Sequence, residues 1–336
     1  MADVAIGILG LNRIGASIGL ALKRYNAEGK DHQFTITGYD GTPDNVSVAK
    51  KLDAVDTTVN KAEQAVQGRD IVVMSMPFSD VEVMYQYIAG DLRKGAVILD
   101  VSPISEVSLK WAEKHLPKEV HVVSARPVVN PVYLFDGTDT TDRATADYFD
   151  NGSMLLMPSV TCIKEAIELA SEFTRIIGSS RHFVDPAEHD GLTISTEALP
   201  ALMGAVYFYM MSQNPGWSDL QRLTNPTFGM VTRHLFDTHP DDLRDFFMHS
   251  SDSLVRFMDV YLEQLRDARN ALARGDQDAV ESLLVDASKE YESFYNKRYN
   301  NKWQEDDGPG ARSLSFGNMM NTWFGFGGPR DKKDGE

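Results

Sequence analysis

The chain has 336 residues and a formal net charge of −16, and its 42% hydrophobic and 24% charged residues are typical of a soluble globular protein. A surface that binds nucleic acid needs clustered lysine and arginine, so the acidic charge and the lack of a basic run argue against nucleic acid as a partner. Cys162 is the only cysteine, which excludes an intrachain disulfide and is typical of a thiol that is kept reduced.

The beginning of the chain predicts no targeting or membrane segment. Asp3 places an acid where a signal peptide is positively charged, and Asn12 and Arg13 interrupt the first apolar stretch. We therefore expect a cytoplasmic protein that is not secreted and has no contact with a membrane.

The first half of the chain alternates short apolar runs with helical patterns, which predicts a parallel sheet with right-handed helical crossovers. We expect strands at 4–9, 34–39, 70–76, 96–101 and 120–124. The helices between them are expected at 14–24, 46–52, 80–92 and 105–115.

The stretch 125–150 carries Pro127, Pro131 and Gly137 with a run of Thr and Asp, which predicts a long loop beyond the carboxyl edge of the sheet. A strand at 154–157, a helix at 162–177 and a last strand at 181–184 are expected after it. From residue 185 the patterns are helical, with clear periodicity at 241–273 and 276–295.

These patterns predict an α/β Rossmann-type parallel-sheet domain at 1–184, followed by an all-α helical domain at 185–300. Residues 301–336 are polar and Gly-rich, with aromatic residues between 316 and 328. We expect this third segment to be a poorly ordered or partner-covered tail.

The loop after the first predicted strand has the glycine pattern of a dinucleotide site. Gly10, Asn12 and Gly15 occupy the three glycine positions of the fingerprint, and Arg13 and Ile14 open the following helix. Asn tolerates a left-handed backbone better than most residues, but it brings a side chain close to the pyrophosphate. Strand, loop and helix together predict a dinucleotide site with altered contacts.

The residues that end two neighbouring strands extend this prediction. Asp40 closes the second strand, where a carboxylate accepts hydrogen bonds from the ribose of NAD and repels the extra phosphate of NADP. We therefore expect NAD, with Arg13 as the residue through which NADP could still be accepted. Met76 and Pro77 end a later strand, which we expect to lie beside the nicotinamide half of the cofactor. A core strand followed by a turn would give the same sequence pattern.

Six further segments follow in a characteristic order. They are Ser-Ile-Gly-Leu-Ala-Leu at 17–22, Asp-Ile-Val-Val-Met-Ser-Met-Pro at 70–77, Gly-Ala-Val-Ile-Leu-Asp-Val at 95–101, Asp-Pro-Ala-Glu-His-Asp at 185–190, Leu-Pro at 199–200 and Thr-Arg at 232–233. With the Gly10 loop, their order and spacing resemble the prephenate and arogenate dehydrogenases over residues 4–273. The resemblance implies an NAD(P)-dependent oxidoreductase of tyrosine biosynthesis that couples hydride transfer to loss of a ring carboxylate. It also implies a homodimer formed through the helical domain.

Several positions that the family uses for catalysis differ in this chain. The family's His-Pro pair after the sixth strand polarises the substrate hydroxyl, whereas here Arg126 precedes Pro127. The family's Ser-His-Leu-Pro-His segment reads Thr-Glu-Ala-Leu-Pro-Ala at 196–201, which removes both histidines. The family's Asp-x-x-Ser turn places Ser102 one position early, and we include Ser102 among the expected cofactor-binding residues.

Four residues are the candidates for the chemistry. His189 suits proton transfer near neutral pH, although its Glu-His-Asp run could simply cap a helix. Glu197 could act as the base if a low-dielectric cleft raises its pKa, or it could be an ordinary ion-paired carboxylate. Arg126 cannot accept a proton but can bind a substrate carboxylate bidentately. The resemblance implies that Arg233 holds a substrate carboxylate, and we expect His234 to face away from it.

The residues of the chain also bear on alternative functions. A β-hydroxyacid dehydrogenase needs a catalytic lysine in the second domain, and no lysine lies between Lys164 and Lys289. A non-catalytic dinucleotide-binding sensor or scaffold stays open, as does a dehydrogenase acting on a different carboxylate substrate. No His, Asp or Glu cluster has metal-ligand spacing, so no metal is expected. Apolar residues that recur at helical spacing over 246–265 belong to the core or to the dimer interface.

Overall fold

The structure is a computed structural model that describes residues 2–29, 31–136 and 138–299, and the predicted tail at 301–336 lies outside these residues. Eight strands form one sheet in the order β3-β2-β1-β4-β5-β6-β7-β8. They are β1 (Ala2–Leu9), β2 (His32–Tyr39), β3 (Thr57–Thr58), β4 (Ile71–Met74), β5 (Val97–Asp100), β6 (His121–Val128), β7 (Ser153–Pro158) and β8 (Ser180–Phe183). The strand order reverses at β1, so the topological switch point lies between β1 and β4.

Helices cover both faces of this sheet. They are α1 (Arg13–Ala27), α2 (Pro43–Lys51), α3 (Ala62–Val66), α4 (Val81–Ile88), α5 (Ser105–His115) and α6 (Lys164–Ile176). One core cluster joins the sheet to α1 and α6 through Ile18 and Phe173, and a second joins it to α4 through Tyr85. Because both faces are covered, β4 and β5 are buried along their whole length and are apolar except for Asp100.

The Rossmann-type sheet is confirmed, but the expectation of a purely parallel sheet is wrong at one position. Strand β7 runs antiparallel to β6, whereas the other strand pairs are parallel. The segment between them carries short 3-10 turns at Pro131–Tyr133 and Thr141–Arg143 and no crossover helix, so the chain returns beside β6 in the opposite direction. Strand β6 also continues to Val128, and the predicted loop therefore begins at residue 129.

The second half of the described chain is helical, as predicted. Its helices are α7 (Pro186–Thr193), α8 (Leu199–Ser212), α9 (Trp217–Leu220), α10 (Pro226–Thr232), α11 (His234–Asp237), α12 (Pro240–His249), α13 (Ser251–Arg274) and α14 (Gln277–Arg298). The single helix predicted at 241–273 is wrong because the chain breaks at Ser250. The Ser250 hydroxyl donates to the carbonyl oxygens of Phe246 (2.6 Å) and Phe247 (3.4 Å), a back-bond that competes with the regular helix pattern.

A third apolar cluster joins the helical half to the sheet. Phe78 and Ile104, from the loops that follow β4 and β5, pack with Ile194, Phe246 and Phe257 of the helical half. This cluster places the turn at Ile194–Ala198 beside the carboxyl edge of the sheet. That turn is a π-helix, and Pro200, which has no N–H to donate, is the second residue of the helix α8 that follows it.

No helix in the described part of the chain is long and apolar enough to cross a lipid bilayer.

Candidate functional site

The glycine loop folds as the fingerprint requires at two of its three positions. Gly10 has a φ of +93°, and a Cβ at this residue would lie 2.0 Å from the carbonyl oxygen of Ser75. A Cβ at Gly15 would lie 2.0 Å from the carbonyl oxygen of Gly10. Only glycine fits either position, so the loop lies tightly against the ends of β1 and β4.

Asn12 occupies the second glycine position of the fingerprint without strain. Its φ of −65° and ψ of −176° are open to any residue, so the left-handed backbone that we considered for it does not occur. Its Oδ1 accepts from the N–H of Gly15 (3.0 Å) and from the Ser75 hydroxyl (2.8 Å), and its Nδ2 donates to the carbonyl oxygen of Ser75 (2.9 Å). The side chain thus caps α1, and the first-turn N–H groups of Arg13 and Ile14 stay available to an anion.

Asp40 lies beside this loop at the end of β2. Its Oδ2 accepts from the N–H of Leu11 (2.7 Å), and its Oδ1 accepts from the N–H of Thr42 (2.7 Å). The carboxylate is half-buried and held in place. Its Oδ2 also accepts from Nδ2 of Asn45 (3.2 Å), so Oδ1 is the oxygen that keeps capacity for a further donor. A tight glycine turn, free N–H groups at a helix start and this fixed carboxylate fit the phosphates and a ribose of a dinucleotide. Nearby, Met76 is half-buried in the second core cluster and Pro77 is exposed.

The Arg13 side chain does not face an open phosphate site. It is 3% exposed, and its guanidinium donates to the carbonyl oxygens of Arg143 (3.1 Å) and Thr138 (3.2 Å) and forms an ion pair with Asp136. Acceptors from the loop that follows β6 surround this side chain, and a phosphate contact through it stays a prediction. Its backbone N–H is the group that can serve a cofactor.

Arg126 lies at the carboxyl edge of the sheet, as the spacing predicted, but on β6 rather than in a loop. It pairs across the ladder with Leu155, and its Nη1 donates to the carbonyl oxygen of Val101 (2.9 Å) at the end of β5. Two buried polar atoms beside this edge, Nε of Arg126 and Oγ of Ser102, have no hydrogen-bond partner among the described residues. Unsatisfied donors of this kind mark a place where a ligand can supply the missing acceptor.

Glu197 forms an ion pair with Arg126 across the boundary between the two halves of the chain. Burial acts to raise the pKa of Glu197, but the Arg126 guanidinium outweighs it, so the pKa of Glu197 lies below its ordinary value. The condition on which we made Glu197 a base, a raised pKa, is therefore not met. Glu197 is instead an ion-paired carboxylate, which was the alternative to its role as a base.

His189 is fully buried, with 1% of its surface exposed. Its Nδ1 lies within hydrogen-bond distance of the Ser105 hydroxyl (3.1 Å) and of the Asp190 carboxylate (2.9 Å), and its Nε2 lies 3.2 Å from the Thr193 hydroxyl. The capping function goes to other residues, since Asp185 caps α7 and Asp190 accepts from the first N–H groups of α5. With both ring nitrogens engaged, His189 is placed to hold α5 and α7 together.

Arg233 lies where α10 meets α11. Its Nε forms an ion pair with the Asp237 carboxylate (3.2 Å), and its Nη1 donates to the carbonyl oxygen of Asp136 (3.2 Å). Asp237 is 5% exposed, and its Oδ1 is buried without a partner among the described residues.

His234 follows Arg233, and our expectation that it faces away from this site stays a prediction. Burial and the neighbouring Arg233 lower the pKa of His234, while Glu197, Asp237 and Asp139 act to raise it. Arg233 joins α10 to α11 with helical backbone angles, a φ of −49° and a ψ of −42°.

Within the described residues, no group of three His, Cys, Asp or Glu side chains could hold a metal ion.

Comparison with known proteins gives consistent results. Residues 18–181 match the family model described as the nucleotide-binding domain of prephenate dehydrogenase. The chain is 25% identical over 275 residues to the prephenate dehydrogenase of Bacillus subtilis, covering 80% of this chain and 70% of that enzyme. It is 23% identical over 277 residues to the cyclohexadienyl dehydrogenase of Zymomonas mobilis, covering 81% of this chain and 90% of that one.

Solved structures share the fold. The prephenate dehydrogenase of A. aeolicus in complex with hydroxyphenyl propionate and NAD+ superposes with a TM-score of 0.70 at 17% identity, over 88% of this chain and 98% of that one. The Synechocystis arogenate dehydrogenase gives 0.62 at 16% identity, over 87% and 100%. The fold, the matched nucleotide-binding domain and the relatives agree: the chain is similar over most of its length to prephenate dehydrogenases and related enzymes.

Proposed function

We propose that this chain is an NAD-dependent dehydrogenase that oxidises a small cyclic carboxylic acid of the prephenate or arogenate type. The observation that carries the proposal is that Arg126 and Glu197 pair at the carboxyl edge of the sheet, while Arg233 contacts Asp136, the partner of Arg13 in the glycine loop. Ligands of open α/β sheets bind at that edge.

NAD+ would be held by the glycine loop and by Asp40, and when bound it supplies the hydride acceptor. In the reaction the carbinol carbon loses a hydride. The bond between the ring and its carboxylate breaks, CO2 leaves, and the electron pair of the broken bond enters the ring. A base close to the substrate hydroxyl makes this step easier, by roughly two to four powers of ten in rate.

His234, which follows Arg233 in the chain, is our candidate for that task. Its lowered pKa keeps the imidazole neutral near pH 7, so a ring nitrogen can accept a hydrogen bond or a proton from the hydroxyl. Arg126 stays protonated, and Glu197 is a weak base because its pKa is lowered. We therefore assign the role of the family's missing histidine to His234.

Arg233 is proposed to hold a substrate carboxylate, as the family resemblance implies. Its guanidinium is about one-third exposed, so it is accessible from the cleft. Arg126 would help through its unpaired Nε, which lies at the same edge. Bidentate binding by guanidinium orients a carboxylate as well as attracting it.

The test is steady-state formation of NADH with prephenate or arogenate, measured for the wild type and for His234→Gln. We expect kcat to fall at least about 100-fold in the variant, with little change in the Kd for NAD+. His239→Gln is the matched control, because that histidine is 71% exposed. An unchanged kcat in His234→Gln would remove His234 from the mechanism.

A second candidate is a dinucleotide-binding sensor or scaffold without dehydrogenase activity, favoured by the arginine at the position of the family's histidine. Binding of NAD+ with no turnover of either acid would support it.

Because the family resemblance implies a dimer, we also propose a homodimer formed through the helical half. None of the residues described in α14 is buried, and Leu283 and Leu284 are exposed there. A monomer in light scattering would argue against the dimer.

A further inference from the structure

Arg13 has surroundings that neither the fingerprint nor the proposed chemistry explains. It begins α1 inside the glycine loop, where its side chain is almost completely buried. Its guanidinium carbon lies 4.4 Å from the ring centre of Tyr148 and 5.3 Å from that of Tyr133. The cation is thus removed from water, and the acceptors and carboxylates that contact it in the described part of the chain come from the loop that follows β6.

That loop continues the contact to the helical half. Asp136 pairs with Arg13 through its carboxylate, while its carbonyl oxygen accepts from Nη1 of Arg233 (3.2 Å). Asp139 lies 3.7 Å from Nη1 of Arg13, and its N–H donates to Oδ2 of Asp237 (3.2 Å). Asp237 in turn pairs with Arg233, which closes a ring of five residues. We call it the Arg13 ring.

The loop is also fixed to the nucleotide side. The Thr141 hydroxyl donates to the carbonyl oxygen of Leu11 (3.0 Å), and the N–H of Thr145 donates to the Ser17 hydroxyl (3.1 Å). Leu11 and Ser17 flank the start of α1. The Arg13 ring therefore joins the place where a pyrophosphate would bind to the arginine proposed to hold the substrate carboxylate.

We propose that Arg13 is a positioning residue that couples dinucleotide binding to carboxylate binding at Arg233. The proposal rests on the proposed function for the identity of the two ligands. Negative charge at the start of α1 competes with Asp136 and Asp139 for the Arg13 guanidinium. When Arg13 binds Asp136 and Asp139 less strongly, the contacts of these acids with Arg233 and Asp237 loosen. Arg233 is then freer to accept a carboxylate. The coupling is therefore positive.

The experiment measures the Kd of hydroxyphenyl propionate by calorimetry, with and without saturating NAD+. We expect the wild type to bind this acid at least about fivefold more tightly when NAD+ is present. In Arg13→Gln the ratio of the two Kd values falls to near one. Arg24→Gln is the matched control on the same helix, because Arg24 pairs with Asp150, outside the Arg13 ring, and the control keeps the wild-type ratio. A ratio in Arg13→Gln equal to that of the wild type overturns the proposal.

Hydrogen exchange of the ligand-free protein provides a readout that needs neither ligand. Arg13→Gln is expected to speed exchange at 226–239 as well as at 138–148, whereas Arg24→Gln leaves 226–239 unchanged. Faster exchange confined to 138–148 would refute the link to Arg233 and give Arg13 a purely local role. If the wild type binds neither NAD+ nor the acid, the proposed function fails, and the exchange at 226–239 still decides whether Arg13 is linked to Arg233.

Discussion

Replacing Glu197 by Gln tests whether the Arg126–Glu197 pair holds the two halves of the chain together. The substitution keeps the shape of the side chain and removes its charge. Arg126 then keeps its bond to the Val101 carbonyl but loses its counter-ion. We expect a clear loss of stability, because a buried guanidinium without a counter-ion is costly.

The magnitude follows from the exposure of the two side chains, 18% for Arg126 and 39% for Glu197. Losing one partner of a fully buried pair costs about 3–5 kcal/mol, whereas a fully exposed pair is worth about 0.2–1 kcal/mol. This pair lies between the limits, so Glu197→Gln should lower the free energy of unfolding by about 2 kcal/mol at pH 7. Because the pKa of Glu197 is lowered in the folded state, the stabilisation is complete above the ordinary value of 4.5 and is lost as the pH falls through the folded-state pKa.

Urea unfolding followed by tryptophan fluorescence measures the effect for Glu197→Gln, Arg126→Gln and the double variant. Coupling through the pair makes the double variant less destabilised than the sum of the single variants, by about 1–2 kcal/mol. Glu172→Gln is the control, because its pair with Arg175 on α6 is exposed. Additive effects within about 0.5 kcal/mol would refute the pair as a link between the two halves.

Three further predictions follow from the site. Gly10→Ala should abolish NAD+ binding in calorimetry, because the new Cβ would lie 2.0 Å from the Ser75 carbonyl oxygen; wild-type affinity would contradict the loop geometry. Asp40→Asn should weaken NAD+ about 10- to 100-fold, with a smaller loss for NADP+, and equal losses would argue against ribose recognition. His189→Ala should lower the free energy of unfolding by about 2–4 kcal/mol in urea, since the imidazole is 1% exposed and fully hydrogen-bonded; a neutral effect would contradict its structural role.

Local patterns were enough to predict most of the sheet. Runs of apolar residues predicted strands β1, β2, β4 and β5 to within a few residues, and the helix at Ser105–His115 was predicted at its observed bounds. Strand β8 was predicted one residue late, at 181–184, and its residues are exposed. The direction of β7 could not be predicted in the same way. It depends on how the chain returns across 129–152, and turn residues at Pro131 and Gly137 do not specify which edge the next strand joins.

The candidate site was only partly predictable, because its properties depend on contacts between distant segments. The glycine loop and Asp40 follow from spacing within one strand–helix–strand unit. By contrast, the state of Glu197 depends on Arg126, 71 positions earlier, and that of Arg13 on a loop more than 120 positions later. His234 was not among the predicted site residues, because adjacent side chains on a helix, such as those of Arg233 and His234, do not share a face.

Asp237 indicates how a substrate acid would compete with the protein's own carboxylates. Three guanidinium groups of the cleft face four internal carboxylates, Asp136, Asp139, Glu197 and Asp237. A substrate carboxylate that takes Arg233 deprives Asp237 of its counter-ion, while burial already raises the pKa of Asp237 above its ordinary value. Its pKa should then rise further, so binding takes up a proton and strengthens as the pH falls from about 7 to about 5.

Calorimetric titration of hydroxyphenyl propionate in two buffers of different ionisation enthalpy measures this proton uptake directly. Asp237→Asn removes the titrating group, and we expect the uptake and the pH dependence to disappear in that variant. His239→Gln, which changes an exposed side chain, is the control and should leave both unchanged. Uptake that persists in Asp237→Asn would assign the proton to another group. Binding without uptake in the wild type would mean that the substrate carboxylate does not displace Asp237 from Arg233.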